Sequence, residues 1–384
     1  MGCGKISLAG EICTQLGTHA LVIHNGSQAV SQKLTTLLSE KNIRTTLSRQ
    51  KGEPTIEDVD RALDTARSAQ CDFVIGLGGG SAIDAAKAVA GLLTNGGSAL
   101  DYMEVVGKGR KITKQAAPWI AIPTTAGTGA EVTRNAVIGA PRHRFKASIR
   151  GEQLLARIAL IDPELGVDVP PHVTASSGMD ALCQLIEAYT STGAQPITDS
   201  LAEKGILLAA RSLLRAYQDG SDTAARSDMA LAALFSGIAL TNAGLGAVHG
   251  FAAPLGANFP VPHGTVCAAL LPHVIKANVY ALRAQDAHHP VLSRYATVGR
   301  LLSGKHAMND DGAIDATMQI TAGLSRDLNI PPLRQFGLSN SDVPAMAQLA
   351  RKASSMRYNP IELSDDALQE ILTSAIYPIG SAIT

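Results

Sequence analysis

Three consecutive glycines and a serine stand between a β-branched run and a helical pattern: Gly78, Gly79, Gly80 and Ser81. The run FVIGL at 73–77 predicts a buried strand, and AIDAAKAVAGL at 82–92 predicts a helix. A strand, a glycine turn and a helix in this order leave backbone N–H groups and the positive helix end available to an anion. Glycine keeps Cβ atoms away from a phosphate, and Ser81 can cap the helix or donate its hydroxyl. The turn therefore predicts a pyrophosphate site, with an ordinary tight βα turn as the alternative.

The glycine turn matches neither the GxGxxG of a standard dinucleotide fold nor the GxxxxGK[ST] of a P-loop, so an ATPase is not favoured. A second polar loop, PTTAGTGAEVT at 123–133, leaves another apolar run through small hydroxylated residues. Thr124, Thr125 and Thr128 offer hydrogen bonds without bulk, as the ribose and nicotinamide of a dinucleotide require. Loops rich in Thr and Gly are also ordinary turns.

Fold class follows from a change of pattern near Asp162. Before it, short β-branched runs alternate with helical segments, which indicates βαβ units and a parallel sheet. Further strands are expected within 119–125, 135–139 and 156–163. After Pro163, Ala- and Leu-rich segments with helical periodicity follow one another almost to the end of the chain. We therefore predict an α/β domain over 1–164, with a Rossmann-like parallel sheet, and an all-helical domain over 165–384.

Composition narrows the class of partner. The 384 residues are 46% hydrophobic, and Lys+Arg and Asp+Glu number 33 each, so the overall charge favours neither nucleic acid nor an anionic membrane. Five scattered cysteines without CxxC spacing argue against a disulfide framework and against a cysteine-based zinc site. The N-terminus has no signal-peptide pattern, and no uninterrupted apolar run reaches membrane-spanning length. We expect a cytoplasmic protein whose partner is a small molecule.

Two histidines lie in a small-residue, otherwise apolar stretch, AGLGAVHGFAAPLGANFPVPHG, as His249 and His263. Neutral imidazole is the commonest protein ligand for a metal, although a buried histidine bonded to a carbonyl is more frequent. Upstream, Asp180 and Gln184 are four residues apart and share one face of a predicted helix. Asp180 with both histidines would form a two-His, one-carboxylate set for a divalent ion. The alternative is that Asp180 caps its helix and Gln184 lies on the surface.

Together these motifs resemble the iron-containing (group III) alcohol dehydrogenases. The resemblance is carried by GGGSAIDAAKA at 78–88, PTTAGTGAEVT at 123–133, DPEL at 162–165, SGMDAL at 177–182 and GLGAVHG…VPHG at 244–264. It implies a nucleotide-binding α/β domain and a helical metal-binding domain, as in dehydroquinate synthase, with the active site in the cleft between them. By position it places the phosphate loop on 78–81, the adenine and nicotinamide contacts among Thr124, Thr125 and Thr128, and three metal ligands on Asp180, His249 and His263.

Three positions depart from the family pattern. The fourth family ligand is a histidine and here is Gln184, whose neutral amide is a weaker ligand for Fe²⁺ or Zn²⁺. A second family histidine, near the nicotinamide, is here Ala253. Asn25 stands where many NAD-using relatives carry an acidic residue, so a 2′-phosphate is not repelled and NADP is allowed beside NAD.

The resulting hypothesis is reversible hydride transfer between nicotinamide and a small primary alcohol or aldehyde, at Fe²⁺ or Zn²⁺ bound by Asp180, His249 and His263, with Gln184 as a weak fourth ligand. One alternative is a reductase of a small aldehyde that needs no metal. A second is a dinucleotide-binding protein without redox activity, and a third is a non-redox relative such as a dehydroquinate synthase.

A basic cluster within 142–150 could steer an anionic substrate or be an ordinary solvated face. By family analogy we expect a homodimer or larger homo-oligomer.

Overall fold

The structure is a computed structural model that describes residues 1–377. It contains two compact units: residues 1–169 with 220–230, and residues 170–219 with 231 onward. The predicted domain boundary at 164/165 stays a prediction.

Within residues 1–377, seven strands form two sheets. The strands are β1 (His19–His24), β2 (Arg44–Arg49), β3 (Phe73–Gly78), β4 (Trp119–Pro123), β5 (Asn135–Ala140), β6 (Phe145–Arg150) and β7 (Ile158–Ala159). Five of them make a parallel sheet in the order β2-β1-β3-β4-β7, as the alternating pattern predicts. Strands β5 and β6 pair antiparallel in a separate hairpin, so the predicted strand at 135–139 exists outside the main sheet.

The described chain has fourteen α-helices. They are α1 (Ala9–Cys13), α2 (Gln28–Ser39), α3 (Ile56–Ser68), α4 (Gly80–Asn95), α5 (Ala99–Tyr102), α6 (Pro171–Thr190), α7 (Pro196–Gln218), α8 (Thr223–Ala243), α9 (Ala247–Asn258), α10 (His263–Gln285), α11 (Pro290–Ser303), α12 (Asp310–Asp327), α13 (Val343–Arg351) and α14 (Asp365–Ile376). Helices α1–α5 lie in the first unit, and α6, α7 and α9–α14 lie in the second. Helix α8 has residues in both units. The α/β plus all-α fold class is confirmed.

The main sheet is covered on both faces, because alternate side chains of its strands enter different cores. Ala20 and Val22 of β1 pack in one core with Leu34 and Leu38 of α2. Leu21 and Ile23 pack in the other core, together with residues of α3 and α4. Burial on both faces explains why the central strands β1, β3 and β4 are mostly apolar, whereas the edge strand β2 is not.

The second unit is built on helices that are buried around most of their circumference. Residues Gly178 to Thr190 of α6 are all buried. Helix α10 is long and apolar enough to cross a membrane, yet 67% of its most apolar window is buried inside the protein. Helices α8 and α9 pass the same test as a pair, but they are bent by 101° at the break between them. Burial of this kind is typical of the core helices of helical domains.

Candidate functional site

Helix α6 begins at Pro171, six residues before the start of the predicted segment, so Asp180 lies in the middle of the helix and caps nothing. Asp180, Gln184 and Glu187 occupy one face at helical spacing, and all three are buried. Buried polar groups require partners, since an unpaired one costs free energy comparable to a lost hydrogen bond. The surface alternative for Gln184 is therefore wrong, and the partners of this face define the site.

Glu187 holds His249 at the start of α9. One carboxylate oxygen, Oε1, accepts a hydrogen bond from the backbone N–H of Val248 at 2.7 Å. The other, Oε2, lies 2.6 Å from Nδ1 of His249. An Nδ1–H donated to this carboxylate fixes the tautomer and leaves Nε2 with its lone pair free, which is the usual arrangement of a metal-ligating histidine.

His263 is the first residue of α10, and a glycine beside it allows the helix to approach α6. A Cβ added at Gly264 would lie 2.5 Å from the carbonyl oxygen of Ser176. Only a glycine fits such a close approach of two backbones. The side chain of His263 is 37% exposed, compared with 7% for His249 and 2% for Asp180. The cluster therefore has one open side, at His263.

The three predicted ligands converge on one carboxylate oxygen. Oδ1 of Asp180 lies 3.3 Å from Nε2 of His249 and 3.6 Å from Nε2 of His263. Within residues 1–377 this buried oxygen has no hydrogen-bond partner of acceptable geometry. An orphaned carboxylate oxygen facing two imidazole nitrogens fits a divalent cation, because each group supplies a lone pair toward the same point.

The electrostatics of this cluster are those of a cation site. Burial raises the pKa of the Asp180 carboxyl, but His263 and His249 outweigh it and hold that pKa well below its usual range. Burial likewise opposes protonation of His263, yet Cys267 and Asp180 raise its pKa to about 10. The same negative surroundings raise the pKa of His249. An ionised carboxylate beside two imidazoles of raised pKa marks a site of negative potential, which also favours a divalent ion, and protons on the imidazoles would be released as it binds.

Gln184, the predicted weak ligand, has a partner in the protein. Its Oε1 accepts a hydrogen bond from the hydroxyl of Ser236 in α8 at 2.7 Å. The amide is therefore held within the helical packing. Its role as a ligand stays a prediction.

Cys267 joins the cluster, and the sequence analysis missed it. Its Sγ lies 3.7 Å from Nε2 of both histidines, and the four donor atoms of Asp180, His249, His263 and Cys267 all lie within 4.8 Å of one another. The scattered cysteines, without CxxC spacing, did not suggest such a position. The signal was the four-residue spacing from His263 to Cys267, which puts both on one face of α10.

In the first unit, the register of the sheet brings the predicted coenzyme loops together. His24 at the end of β1 pairs with Leu77 of β3, and Gly78 pairs with Pro123 of β4. Asn25, the glycine turn and Thr124 therefore follow three adjacent strand ends. The carboxyl edge of a parallel sheet is where open α/β folds bind ligands.

The glycines of the turn are required by the neighbouring loops. Gly78 has φ +150°, and a Cβ there would overlap Oδ1 of Asn25. A Cβ on Gly80 would lie 2.8 Å from the side chain of Thr128, and one on Gly79 would lie 3.1 Å from Oγ1 of Thr125. The backbone N–H of Gly79, expected to be free, donates to Oδ1 of Asn25 at 2.9 Å. The helix N-cap is Gly79 and not Ser81, since α4 begins at Gly80.

A buried lysine that the sequence analysis did not single out fixes the Thr-rich loop. Nζ of Lys87 in α4 donates to the carbonyl oxygens of Ala130 and Asn135 at 2.8 and 2.7 Å and to Oγ1 of Thr133 at 2.7 Å. Burial lowers its pKa, and Asp84 and Glu131 act against this. Lys87 thus ties the loop after β4 to the helix that begins at the glycine turn.

The basic cluster of the β5–β6 hairpin is largely paired with acids. Arg142 pairs with Glu57 and Arg150 with Glu104, at 3.5 and 3.2 Å, and Lys146 pairs with Glu53. Paired surface charges contribute little to a long-range field. The hairpin therefore supports the solvated-face interpretation over substrate steering.

Comparison with known proteins decides the family. The family description "Iron-containing alcohol dehydrogenase" matches residues 1–163, and "Fe-containing alcohol dehydrogenase family, C-terminal" matches residues 174–376. The chain belongs to the iron-containing alcohol dehydrogenases. "Alcohol dehydrogenase 4" of Saccharomyces cerevisiae is 35% identical over 348 residues, which are 90% of this chain and 87% of the yeast protein.

Solved structures of the same family agree in fold. A crystal structure of 1,3-propanediol oxidoreductase superposes with a TM-score of 0.89 at 33% identity, covering 97% of this chain and 96% of that one. Sulfoacetaldehyde reductase from Bifidobacterium kashiwanohense in complex with NAD⁺ has a TM-score of 0.84 at 27% identity, covering 98% and 96%. The protein is therefore an oxidoreductase of the alcohol dehydrogenase type, in a family that acts on alcohols and aldehydes with a nicotinamide coenzyme and a metal.

Proposed function

We propose that this protein interconverts a small primary alcohol and its aldehyde, with NAD or NADP, at a divalent-metal site formed by Asp180, His249 and His263. One observation carries the proposal: ligand atoms from three helices meet at a buried carboxylate oxygen that has no hydrogen bond of its own within residues 1–377. The family's activity on alcohols and aldehydes supports it.

A divalent ion bound here would supply Lewis acidity toward the substrate oxygen, and the nicotinamide would supply or accept the hydride. The protein's own contribution is to fix the positions and orientations of the ligand side chains. Glu187 keeps Nε2 of His249 turned to the cluster. Burial of Asp180 and His249 excludes water from one side, and the partly exposed His263 leaves the other side open to a small substrate.

For the coenzyme, we propose that the pyrophosphate binds at residues 78–81 and the positive end of α4, with Thr124, Thr125 and Thr128 beside the ribose and nicotinamide. The close packing of these loops supports this assignment. Asn25, with no charge, is compatible with NADP as well as NAD.

The substrate class is proposed from the relatives and from the paired basic hairpin. One relative is a 1,3-propanediol oxidoreductase and another is a sulfoacetaldehyde reductase, and both enzymes are named after small molecules. Because Arg142, Lys146 and Arg150 are matched by acids, we favour an uncharged short-chain aldehyde over an anionic one.

The test combines metal analysis with a substrate screen. Freshly purified protein is analysed for Fe and Zn by mass spectrometry and assayed with NADH and NADPH against short-chain aldehydes, before and after exhaustive chelation. We expect about one metal per chain, loss of turnover on chelation, and recovery when Fe²⁺ or Zn²⁺ is added back. Full activity without metal would favour the metal-independent reductase. Coenzyme binding without any turnover would favour the redox-inactive alternative.

Assembly and location complete the proposal. We propose a homodimer or larger homo-oligomer, which light scattering of the purified protein would test. The five cysteines are all free, in keeping with a reducing compartment such as the cytoplasm.

A further inference from the structure

The imidazole that is the family's fourth ligand is absent at Gln184, and a different donor stands beside the remaining three residues. Gln184 gives its Oε1 to the hydroxyl of Ser236 at 2.7 Å. Cys267 directs its sulfur into the cluster, 3.7 Å from Nε2 of His249 and 3.7 Å from Nε2 of His263. These two nitrogens are the ones left free for an ion.

We propose that the thiolate of Cys267 is the fourth protein ligand of the metal in this protein, forming an Asp/His/His/Cys set with Asp180, His249 and His263. The inference rests on the proposed metal site and specifies its donor set. The thiol gives up its proton to solvent as the ion binds, because the thiolate is the form that ligates.

Four of the six separations between the donor atoms match those of a tetrahedral site. With bonds of about 2.0–2.1 Å to nitrogen, about 2.1 Å to oxygen and about 2.3 Å to sulfur, ligand atoms of a tetrahedral site lie about 3.4 Å apart for N and O and about 3.6 Å apart for N and S. The observed N to O separations are 3.3 and 3.6 Å. The observed N to S separations are both 3.7 Å. The other two separations, between the two nitrogens and between oxygen and sulfur, are within 4.8 Å, so all four donors are close enough together to bind one ion.

The second buried cysteine of the region serves a different position. Sγ of Cys183 lies 4.0 Å from Nδ1 of His249, the nitrogen that faces Glu187. Cys183 therefore lies beside the Nδ1 side of the imidazole, and its thiol is also within hydrogen-bond reach of Cys267. It is a matched control, since it is a second buried thiol beside the same ring that contacts Nδ1 and not Nε2.

A thiolate changes the metal preference of the site. Soft thiolate ligands favour ions such as Zn²⁺, whereas amide and carboxylate oxygens favour harder ions such as Mg²⁺ and Mn²⁺. With Cys267 in place of an imidazole, we expect a higher ratio of Zn²⁺ to Fe²⁺ affinity than in a Cys267→Ser variant. With four protein ligands, a substrate oxygen would be the fifth ligand, a coordination number that catalytic zinc sites sometimes reach.

The decisive experiment uses the full-length protein, stripped of metal and reloaded with one equivalent of Co²⁺. We expect a thiolate-to-cobalt charge-transfer band in the near ultraviolet, lost in Cys267→Ser and kept in Cys183→Ser and Gln184→Ala. Zn²⁺-loaded wild type should show one sulfur at about 2.3 Å by X-ray absorption spectroscopy. We also expect Cys267→Ser to bind Zn²⁺ about a hundredfold more weakly. Loss of a residue that only hydrogen-bonds a metal ligand lowers metal affinity by about 10–100-fold, and loss of a ligand itself should cost at least as much.

The X-ray absorption measurement needs no variant, so poor folding of Cys267→Ser leaves the test intact. A further variant, Gln184→His with Cys267→Ala, should recover Zn²⁺ binding without the sulfur signal. Co²⁺ bound with visible d–d bands but no thiolate band would overturn the role of Cys267 while leaving the proposed metal site in place. So would a band that persists in Cys267→Ser and vanishes in Cys183→Ser. Failure of the wild type to bind Co²⁺ or Zn²⁺ would overturn both.

Discussion

The coenzyme loops of the first unit and the ligand cluster of the second are built by different means. The loops depend on backbone: the glycines at the end of β3 allow the turn at residues 78–81 to pack at close range against Asn25 and Thr128. The cluster depends on side chains from three helices, and its geometry is fixed by partners such as Glu187. A steric change should therefore damage the first site, and a change of charge or donor atom should damage the second.

The strongest test of this contrast is Asp180→Ala. Removing the carboxylate shared by both histidines should abolish metal binding and lower kcat/KM at least about a thousandfold, since Lewis acidity is worth several kcal/mol and each 1.36 kcal/mol is a factor of ten. The dissociation constant for NAD⁺, measured by fluorescence, should stay unchanged. Asp315→Ala, an exposed carboxylate on α12, is the control and should retain metal and activity. Retention of metal by Asp180→Ala would contradict the assignment of the cluster.

Gly78→Ala is the complementary test, because it is a steric change in the predicted coenzyme loops. A Cβ at φ +150° would overlap Oδ1 of Asn25, so we expect coenzyme affinity to fall about tenfold or more and unfolding free energy to fall by about 1–3 kcal/mol. Metal content should be normal. The control is Gly109→Ala, an exposed glycine at φ +61° with nothing within 4 Å of its Cβ. Equal loss of coenzyme affinity in both variants would show that backbone strain, and not the contact with Asn25, is responsible.

Glu187→Gln separates support of a ligand from the ligand itself. The amide can still accept from Val248, but it can present N–H to His249 and favour the tautomer that carries its proton on Nε2. Metal affinity should drop 10–100-fold, as for other outer partners of ligating histidines, with NAD⁺ binding intact. Glu203→Gln, whose carboxylate accepts from Tyr189, is the control because it carries the same change within the second unit. Unchanged metal affinity in Glu187→Gln would show that Glu187 does not orient His249 for metal binding.

Asn25→Asp should give the smallest effect and bears only on the choice of coenzyme. The carboxylate keeps an acceptor for the N–H of Gly79 and adds one negative charge near a 2′-phosphate. The ratio of kcat/KM for NADPH to that for NADH should fall, by about tenfold if the charge costs about 1.4 kcal/mol. Asn42→Asp adds the same charge at an exposed position and should leave the ratio alone. An unchanged ratio in both variants would place Asn25 away from the 2′ position.

How much of each site the sequence predicts depends on whether its residues are close along the chain. The glycine turn and the Asp180 and Gln184 pair were predictable, because turn chemistry and helical spacing act over a few residues. Glu187 shares that spacing, but nothing in the sequence connects it to His249, which lies 62 positions away. Lys87 stands in an Ala-rich helix, and its three backbone and hydroxyl partners are 43 to 48 residues further on.

By itself, the sequence determined the two types of secondary-structure pattern, the parallel sheet and the glycine turn, and it predicted three donors, because period, turn chemistry and residue type are local properties. Tertiary structure alone decided which further side chain lies beside these three residues. Packing of α8 against α6 occupies Gln184 with Ser236, and the close approach at Gly264 brings His263, and with it Cys267, to Asp180. A coordination set is a matter of distances of a few ångströms between helices, and those distances exist only once the helices have packed.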